Sequence, residues 1–123
     1  IIQKIFMKTK ILSVILSLIF LASGGAKLAS LNFEIVAFTR WGYPLWFMYF
    51  IGAVEVAGGI GLLISRLSSL AASGLALMMV GAVATHIIHV EIGMLVVASI
   101  ILLLATIRAW IGRQDICMML GRK

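Results

Sequence analysis

The sequence predicts an all-α membrane protein in which four transmembrane helices form a bundle and a short interfacial helix joins the first two. The first reason is composition: 63% of the residues are hydrophobic, 11% are charged and the mean hydropathy is +1.22. Soluble domains average about 25% charged residues, and so short a chain cannot bury this much apolar surface in a core of its own. The second reason is that charged residues divide the chain into four long apolar runs. Together they indicate a single transmembrane domain over residues 1–123.

The four apolar runs are residues 11–26, 41–65, 67–90 and 92–107, and only Glu55 places a charge inside one of them. A helix needs about 20 residues to cross the hydrocarbon layer. The first and fourth runs contain 16 uncharged residues each. We therefore expect the flanking Lys10, Lys27 and Arg108 to extend their charged ends towards the headgroups. The predicted spans are approximately residues 10–28, 44–65, 68–88 and 91–109.

The segment between the first two spans carries signals for a short helix. Asn32 is a candidate N-cap for a helix over residues 33–41. Gly42 can adopt the left-handed conformation that ends a helix, and Pro44 prevents its continuation. Because the segment is mostly apolar, we expect it either to lie in the headgroup layer or to fold over the mouth of the bundle. Trp41 and Trp46 then form part of an aromatic belt at this interface, and Trp110 lies at the opposite one.

Basic residues predict the orientation of the spans. Eight of the ten lie on the side of the termini: Lys4, Lys8, Lys10, Arg66, Arg108, Arg113, Arg122 and Lys123. Only Lys27 and Arg40 lie on the other side. The positive-inside rule therefore places both termini of this multi-pass protein in the cytoplasm. The net charge of +6 is assigned to headgroup contacts and not to nucleic acid, because the basic residues flank apolar runs.

Glu55 is the residue that points most directly to function. It falls near the middle of the second span, where an ionised carboxylate costs at least about 2.5 kcal/mol, so we expect it to face the bundle interior. Gly52 and Gly59 flank it and let another helix approach closely. Lys27 is its natural partner by charge, but counting residues places Lys27 roughly 12 Å above the midplane. A direct contact would then require long reaches, a helix shift or a bridging ligand.

The two histidines and the single cysteine argue against a metal site and a thiol-based redox centre. His86 and His89 share one helix face near the end of the third span, but two side chains do not make a zinc site, and no metal is predicted. His86 alone is a candidate hydrogen-bond partner for Glu55 or Lys27. Cys117 is the single cysteine, so the chain has no thiol pair. No catalytic motif is present, and the sequence assigns no enzyme activity and no evident cofactor.

Four stretches resemble the DoxX-like family of small bacterial membrane proteins: residues 20–28 (FLASGGAKL), 41–46 (WGYPLW), 52–63 (GAVEVAGGIGLL) and 81–86 (GAVATH). The resemblance implies a four-helix membrane fold and a multi-pass protein of the bacterial inner membrane. Seven residues match positions of the family's motifs: Gly24, Lys27, Gly52, Glu55, Gly59, Gly81 and His86. The resemblance implies that the glycines among them lie at helix contacts. Some relatives are membrane subunits linked to sulfur oxidation and quinone reduction, or partners of redox enzymes. Others act as membrane assembly factors.

Three functions follow as alternatives. The first is a membrane subunit or partner of an oxidoreductase system, with an outward-opening polar pocket in which Glu55, Lys27 and His86 handle protons or a quinone head group. The second is a non-catalytic scaffold or assembly factor. The third is a small proton-coupled transporter, which the strong charge bias and the position of Glu55 on the second span disfavour. The expected partners are the lipid bilayer and either a redox protein or a second copy of the chain.

Overall fold

The computed structural model describes residues 2–119, except for the side chains at positions 2, 3, 5, 6, 115, 118 and 119. Within that range the chain forms six helices: α1 (Ile2–Leu28), α2 (Asn32–Trp41), α3 (Leu45–Leu63), α4 (Ser68–Ile88), α5 (Ile92–Ile111) and α6 (Arg113–Met119). The all-α prediction is confirmed, and so is the short helix between the first two spans. Arg122 and Lys123, which contributed to the predicted orientation, lie outside the described residues.

Four of these helices are long and apolar enough to cross a membrane: Met7–Leu28 within α1, and the whole of α3, α4 and α5. The third of these helices coincides with the predicted span, and the ends of the others differ from the predicted spans by at most three residues. Helix α1 is longer than its membrane-spanning segment and begins five residues before it. It continues back through Lys8 and Lys10 to Ile2 because no glycine or proline interrupts this stretch.

The bundle is built from two closely packed helix pairs, α1 with α3 and α4 with α5, which meet mainly between α3 and α4. The buried core where the pairs meet consists of apolar side chains from all four spans: Leu16, Phe20, Leu62, Ala72, Leu75, Met79 and Ala98. We refer to the end of the bundle that carries α2 as the α2 end, and to the opposite end as the terminal end.

The predicted N-cap of α2 is wrong, whereas its C-terminal signal is confirmed. Asn32 is the first helical residue, and the cap position belongs to Leu31. The carbonyl of Leu31 accepts the amides of Glu34 and Ile35, so the first turn closes one residue earlier than expected. At the other end Gly42 has φ 83°, and the amides of Gly42 and Tyr43 bond back into the last turn of the helix.

Arg108 also differs from its predicted role, because its side chain is buried and does not extend to the headgroups. Nε donates to Ser13 Oγ at 2.6 Å, and Nη1 donates to Ser69 Oγ at 2.9 Å. These two hydroxyls solvate the guanidinium inside the bundle. Arg108 therefore joins α5 to both α1 and α4 at the terminal end.

Candidate functional site

The packing of α1 on α3 depends on glycines that face the neighbouring helix. A Cβ built on Gly24 would lie 2.7 Å from the carbonyl oxygen of Gly52 and 2.9 Å from Glu55 Cβ. A Cβ on Gly52 would lie 2.9 Å from Lys27 Cβ. Gly59 faces Leu21 and the backbone of Ser17 in the same way. The two antiparallel backbones thus approach closely beside Glu55.

This register corrects the predicted distance between Lys27 and Glu55. Lys27 lies opposite Gly52, and Glu55 lies opposite Gly24, so the two residues are separated along the helices by three positions, or about 4.5 Å. The predicted height of Lys27, roughly 12 Å above Glu55, assumed that the end of the first span and the start of the second lie at the same depth in the membrane. Instead α1 ends at Leu28, and α2 covers the space between that end and the start of α3.

The side chains of Lys27 and Glu55 form an ion pair inside the bundle. Lys27 Nζ lies 2.9 Å from Glu55 Oε1, and the residues are only 8% and 4% exposed. Ser23 joins both, because its Oγ accepts a hydrogen bond from Lys27 Nζ at 2.8 Å and donates to Glu55 Oε2 at 2.9 Å. The contact between Nζ and Oε1 lacks hydrogen-bond geometry, so Oε1 is a buried acceptor without a hydrogen bond in the described part of the chain.

Glu34 completes this group, and sequence reasoning missed it. Glu34 lies in the first turn of α2, and its side chain is buried, with Oε2 3.3 Å from Lys27 Nζ. One ammonium therefore serves two carboxylates. The only sequence signal is indirect: three residues join α1 to α2, which keeps the start of α2 close to Lys27. We call Lys27, Glu34, Glu55 and Ser23 the Lys27 cluster.

A second polar group surrounds Glu91 in the turn between α4 and α5. Glu91 Oε1 lies 2.8 Å from His86 Nδ1 and accepts the indole N–H of Trp41 at 3.0 Å, while Oε2 pairs with the Arg40 guanidinium. The hydrogen bond with His86 is the main reason that the pKa of Glu91 is lowered, and the bonds from Trp41 and Arg40 act in the same direction. The group ties the end of α2 to the α4–α5 turn.

The histidines therefore differ from expectation. His86 is buried and bonds to Glu91, not to Glu55 or Lys27. His89 ends α4 and turns away, with its Nδ1 lying 2.9 Å from the carbonyl of Thr85. Among the side chains that the structure describes, which do not include that of Asp115, no group of three or more His, Cys, Asp or Glu residues is arranged to hold a metal ion.

A cavity of about 470 Å³ lies between the two polar groups. The Lys27 cluster lines it on one side. Tyr43, Thr85 and His86 line it on the other, with the Tyr43 hydroxyl 2.8 Å from Thr85 Oγ1. Most of the remaining wall is apolar or aromatic. Its volume lies within the range of about 300–1,000 Å³ that small-molecule sites occupy, and such sites combine apolar walls with a few polar groups.

The remaining predicted residues lie at separate places. Gly81 lines the cavity, and a Cβ there would meet nothing within 4 Å, so the expected helix contact has no counterpart in the described residues. Trp41 lines the cavity as well, with its ring 5.5 Å from that of His86. Trp46 and Trp110 project outward, at opposite ends of the bundle.

Comparison with known proteins supports the resemblance. The model of the DoxX-like family matches residues 11–108, which include α2, α3, α4, most of α5 and most of the membrane-spanning part of α1. No curated protein and no solved structure matches the chain.

Proposed function

The chain belongs to the DoxX-like family, and on that premise we propose that it is a membrane subunit or partner of an oxidoreductase system whose cavity holds the head group of a lipid-soluble quinone. The cavity is the observation that carries the proposal, because it brings buried proton-exchanging groups to an otherwise apolar space. We further propose that the protein lies in the bacterial inner membrane with its termini in the cytoplasm, so that the cavity opens on the outer side.

The donors and acceptors of the cavity suit a quinone ring. Its two carbonyl oxygens need hydrogen-bond donors, and the Lys27 ammonium and the Tyr43 hydroxyl lie on opposite walls. The hydroxyls of the reduced ring need acceptors, and we assign that role to Glu55 Oε1, which is ion-paired with Lys27 at 2.9 Å but accepts no hydrogen bond from the described residues. Trp41 and Phe47 add aromatic surface beside the planar ring.

A bound quinone would supply two-electron chemistry that also consumes or releases two protons. The contribution of this chain is to hold the ring and to exchange protons at Glu55, Glu34 and Lys27. The chain has one cysteine and therefore no thiol pair, and we propose that a partner protein exchanges the electrons.

Binding of decyl-ubiquinone to the purified protein tests the proposal. Trp41 becomes the only tryptophan when Trp46 and Trp110, which both point outward, are replaced by Phe, and its emission then reports on the cavity. We expect saturable quenching of Trp41. Tyr43→Phe and Glu55→Gln should each weaken binding about tenfold, the equivalent of about 1.4 kcal/mol. Arg66→Gln should leave binding unchanged, because Arg66 is exposed at the terminal end.

Circular dichroism on each variant separates a loss of binding from a loss of fold. Quenching that never saturates, or that is the same in Tyr43→Phe, Glu55→Gln and Arg66→Gln, would contradict a quinone site in the cavity. Purification in mild detergent tests the second half of the proposal, for which a stoichiometric redox protein should remain bound.

A further inference from the structure

The wall of the cavity changes from polar to apolar across the bundle. The ionisable and hydroxyl groups come from α1, α2, α3, α4 and the Tyr43 linker, as described above. By contrast, α5 contributes only apolar side chains: Met94, Val97, Ala98 and Ile101. These four residues lie on one face of the helix. A ligand that matches both parts of the wall must have a polar end and an apolar end.

The apolar side of the cavity is open to the surface of the bundle. Val97 lines the cavity and is nevertheless 56% exposed, and Met94 is 50% exposed. Phe33 of α2 also combines cavity lining with high exposure. An interior wall would be shielded from the outside, so these side chains form the rim of an opening.

We place the opening between α1 and α5, on the α2 side of the contact that joins these two helices at the terminal end. Ser13 and Arg108 join them directly. Since successive spans alternate in direction, counting along both helices from that contact brings Phe20 level with Ile101. Both of these residues line the cavity. Phe20 belongs to the buried core and Ile101 packs against it, so this level is the inner end of the cavity.

The depth of the opening indicates what faces it. Val97 is five positions beyond Ile92, the first residue of α5, which places it about 7.5 Å inside a predicted span. Arg40 also lines the cavity and has a side chain that is 53% exposed, so it marks the headgroup end of the opening. The part of the rim formed by Met94 and Val97 is apolar and lies deeper, where it faces the acyl chains of the bilayer more than it faces water.

We propose that this opening is a lateral entrance from the bilayer and that the cavity takes an amphiphile whose polar head lies against the Lys27 cluster while its hydrocarbon chain leaves between α1 and α5. The inference rests on the proposed function for the identity of the head group, but the entrance itself does not. The ligand class is therefore a membrane-borne molecule with a chain, not a water-soluble compound of the same head group.

A pair of neighbouring variants tests the entrance. Val96 and Val97 are 53% and 56% exposed, but only Val97 lines the cavity. Both side chains point largely outward, so Phe at either position adds little buried volume. We expect Val97→Phe to weaken binding of decyl-ubiquinone about tenfold, or about 1.4 kcal/mol, and to leave binding of tail-less ubiquinone-0 unchanged. Val96→Phe should change neither. Equal affinity of Val97→Phe and Val96→Phe for decyl-ubiquinone would overturn the proposal.

A second measurement needs no quinone. The protein in which Trp41 is the only tryptophan is placed in vesicles of phosphatidylcholine brominated on its acyl chains, which quench indole on contact. We expect chains that enter the opening to quench Trp41, and Val97→Phe to reduce this quenching while Val96→Phe does not. The same quenching in both variants would refute the lateral entrance. Quenching that depends on Val97, together with no binding of either quinone, would instead refute the proposed function and retain the entrance.

Discussion

The ammonium of Lys27 lies 2.9 Å from the carboxylate of Glu55, although the two residues come from different spans and are almost completely buried. Glu34 approaches the same ammonium at 3.3 Å. Removal of one partner from a buried pair costs much more than the pair contributes, because the remaining charge has lost its compensation. Substitutions of Lys27, Glu34 and Glu55 should therefore lower the stability of the fold by different amounts.

We expect Lys27→Met to destabilise the protein more than Glu55→Gln. Lys27→Met leaves two buried carboxylates without a cation, at a cost of about 3–5 kcal/mol. After Glu55→Gln the ammonium retains Glu34 and Ser23, so the loss should be nearer that of one charged hydrogen bond, about 1–3 kcal/mol. Unfolding in mixed detergent micelles measures both changes, with Arg66→Gln as the exposed control.

Combination of the substitutions provides a stricter check. The triple variant Lys27→Met, Glu34→Gln, Glu55→Gln contains no charge in the Lys27 cluster and should recover much of the stability that Lys27→Met loses. A triple variant as unstable as Lys27→Met alone would mean that the cluster stabilises the fold through packing and not through charge.

Gly24 and Gly25 are adjacent but should differ sharply when replaced by Ala. A Cβ at Gly24 would lie 2.7 Å from the carbonyl of Gly52, whereas at Gly25 it would meet nothing within 4 Å. The backbone of α3 cannot move aside cheaply, and overpacking of this kind costs about 1–3 kcal/mol. Gly25→Ala should leave the unfolding free energy within about 0.5 kcal/mol of the wild type. Equal effects of the two substitutions would show that α1 and α3 are less closely packed than described.

The sequence predicts the fold well but the site only in part, and the reasons are physical. Apolar runs bounded by charges define spans because lipid imposes a fixed length on each helix. The same run lengths say nothing about the relative height of two spans, so Lys27 and Glu55 could be named as candidates but not joined. Glu34 and Glu91 were missed as site residues because each lies outside a span, and only the folding of α2 over the bundle brings them to buried partners.

The burial of Arg108 was likewise not predictable from its position at the end of an apolar run. Substitution of Ser69 tests whether the hydrogen bond to Arg108 stabilises the fold. Ser69 Oγ accepts from Arg108 Nη1, whereas Ser73, one turn later, bonds within its own helix to the carbonyl of Ser69. We expect Ser69→Ala to cost about 1.5–3 kcal/mol, as for a hydrogen bond to a charged group, and Ser73→Ala to have little effect. Both values come from the same micelle unfolding assay. A loss at Ser73 as large as that at Ser69 would argue against the buried position of Arg108.

Cysteine labelling tests the orientation predicted from basic residues. Cys117 is exposed and must first be replaced by Ser, so that introduced thiols report alone. Thr39, Arg66 and Gln114 are all exposed. We expect Arg66→Cys and Gln114→Cys to react only from the cytoplasmic side and Thr39→Cys only from outside. Glu34 is unsuitable for labelling because it is buried. Reaction of all three positions from the same side of intact cells would contradict a four-span arrangement.

Glu91 should make the contact between α2 and the α4–α5 turn sensitive to acid. Its pKa is lowered from the ordinary value of 4.5, mainly by the hydrogen bond with His86. A carboxyl group whose pKa is lower in the folded state than in the unfolded state stabilises the fold fully above the unfolded value, and that stability is lost as the pH falls through the folded value. The contact should therefore persist at pH 6 and weaken only below pH 4.5.

Trp41 reports this contact directly, because its indole N–H donates to Glu91. In the protein with Trp41 as the only tryptophan, we expect the emission to change below pH 4.5 and the change to disappear in Glu91→Gln. A transition that keeps its midpoint in Glu91→Gln would assign the acid response to another group.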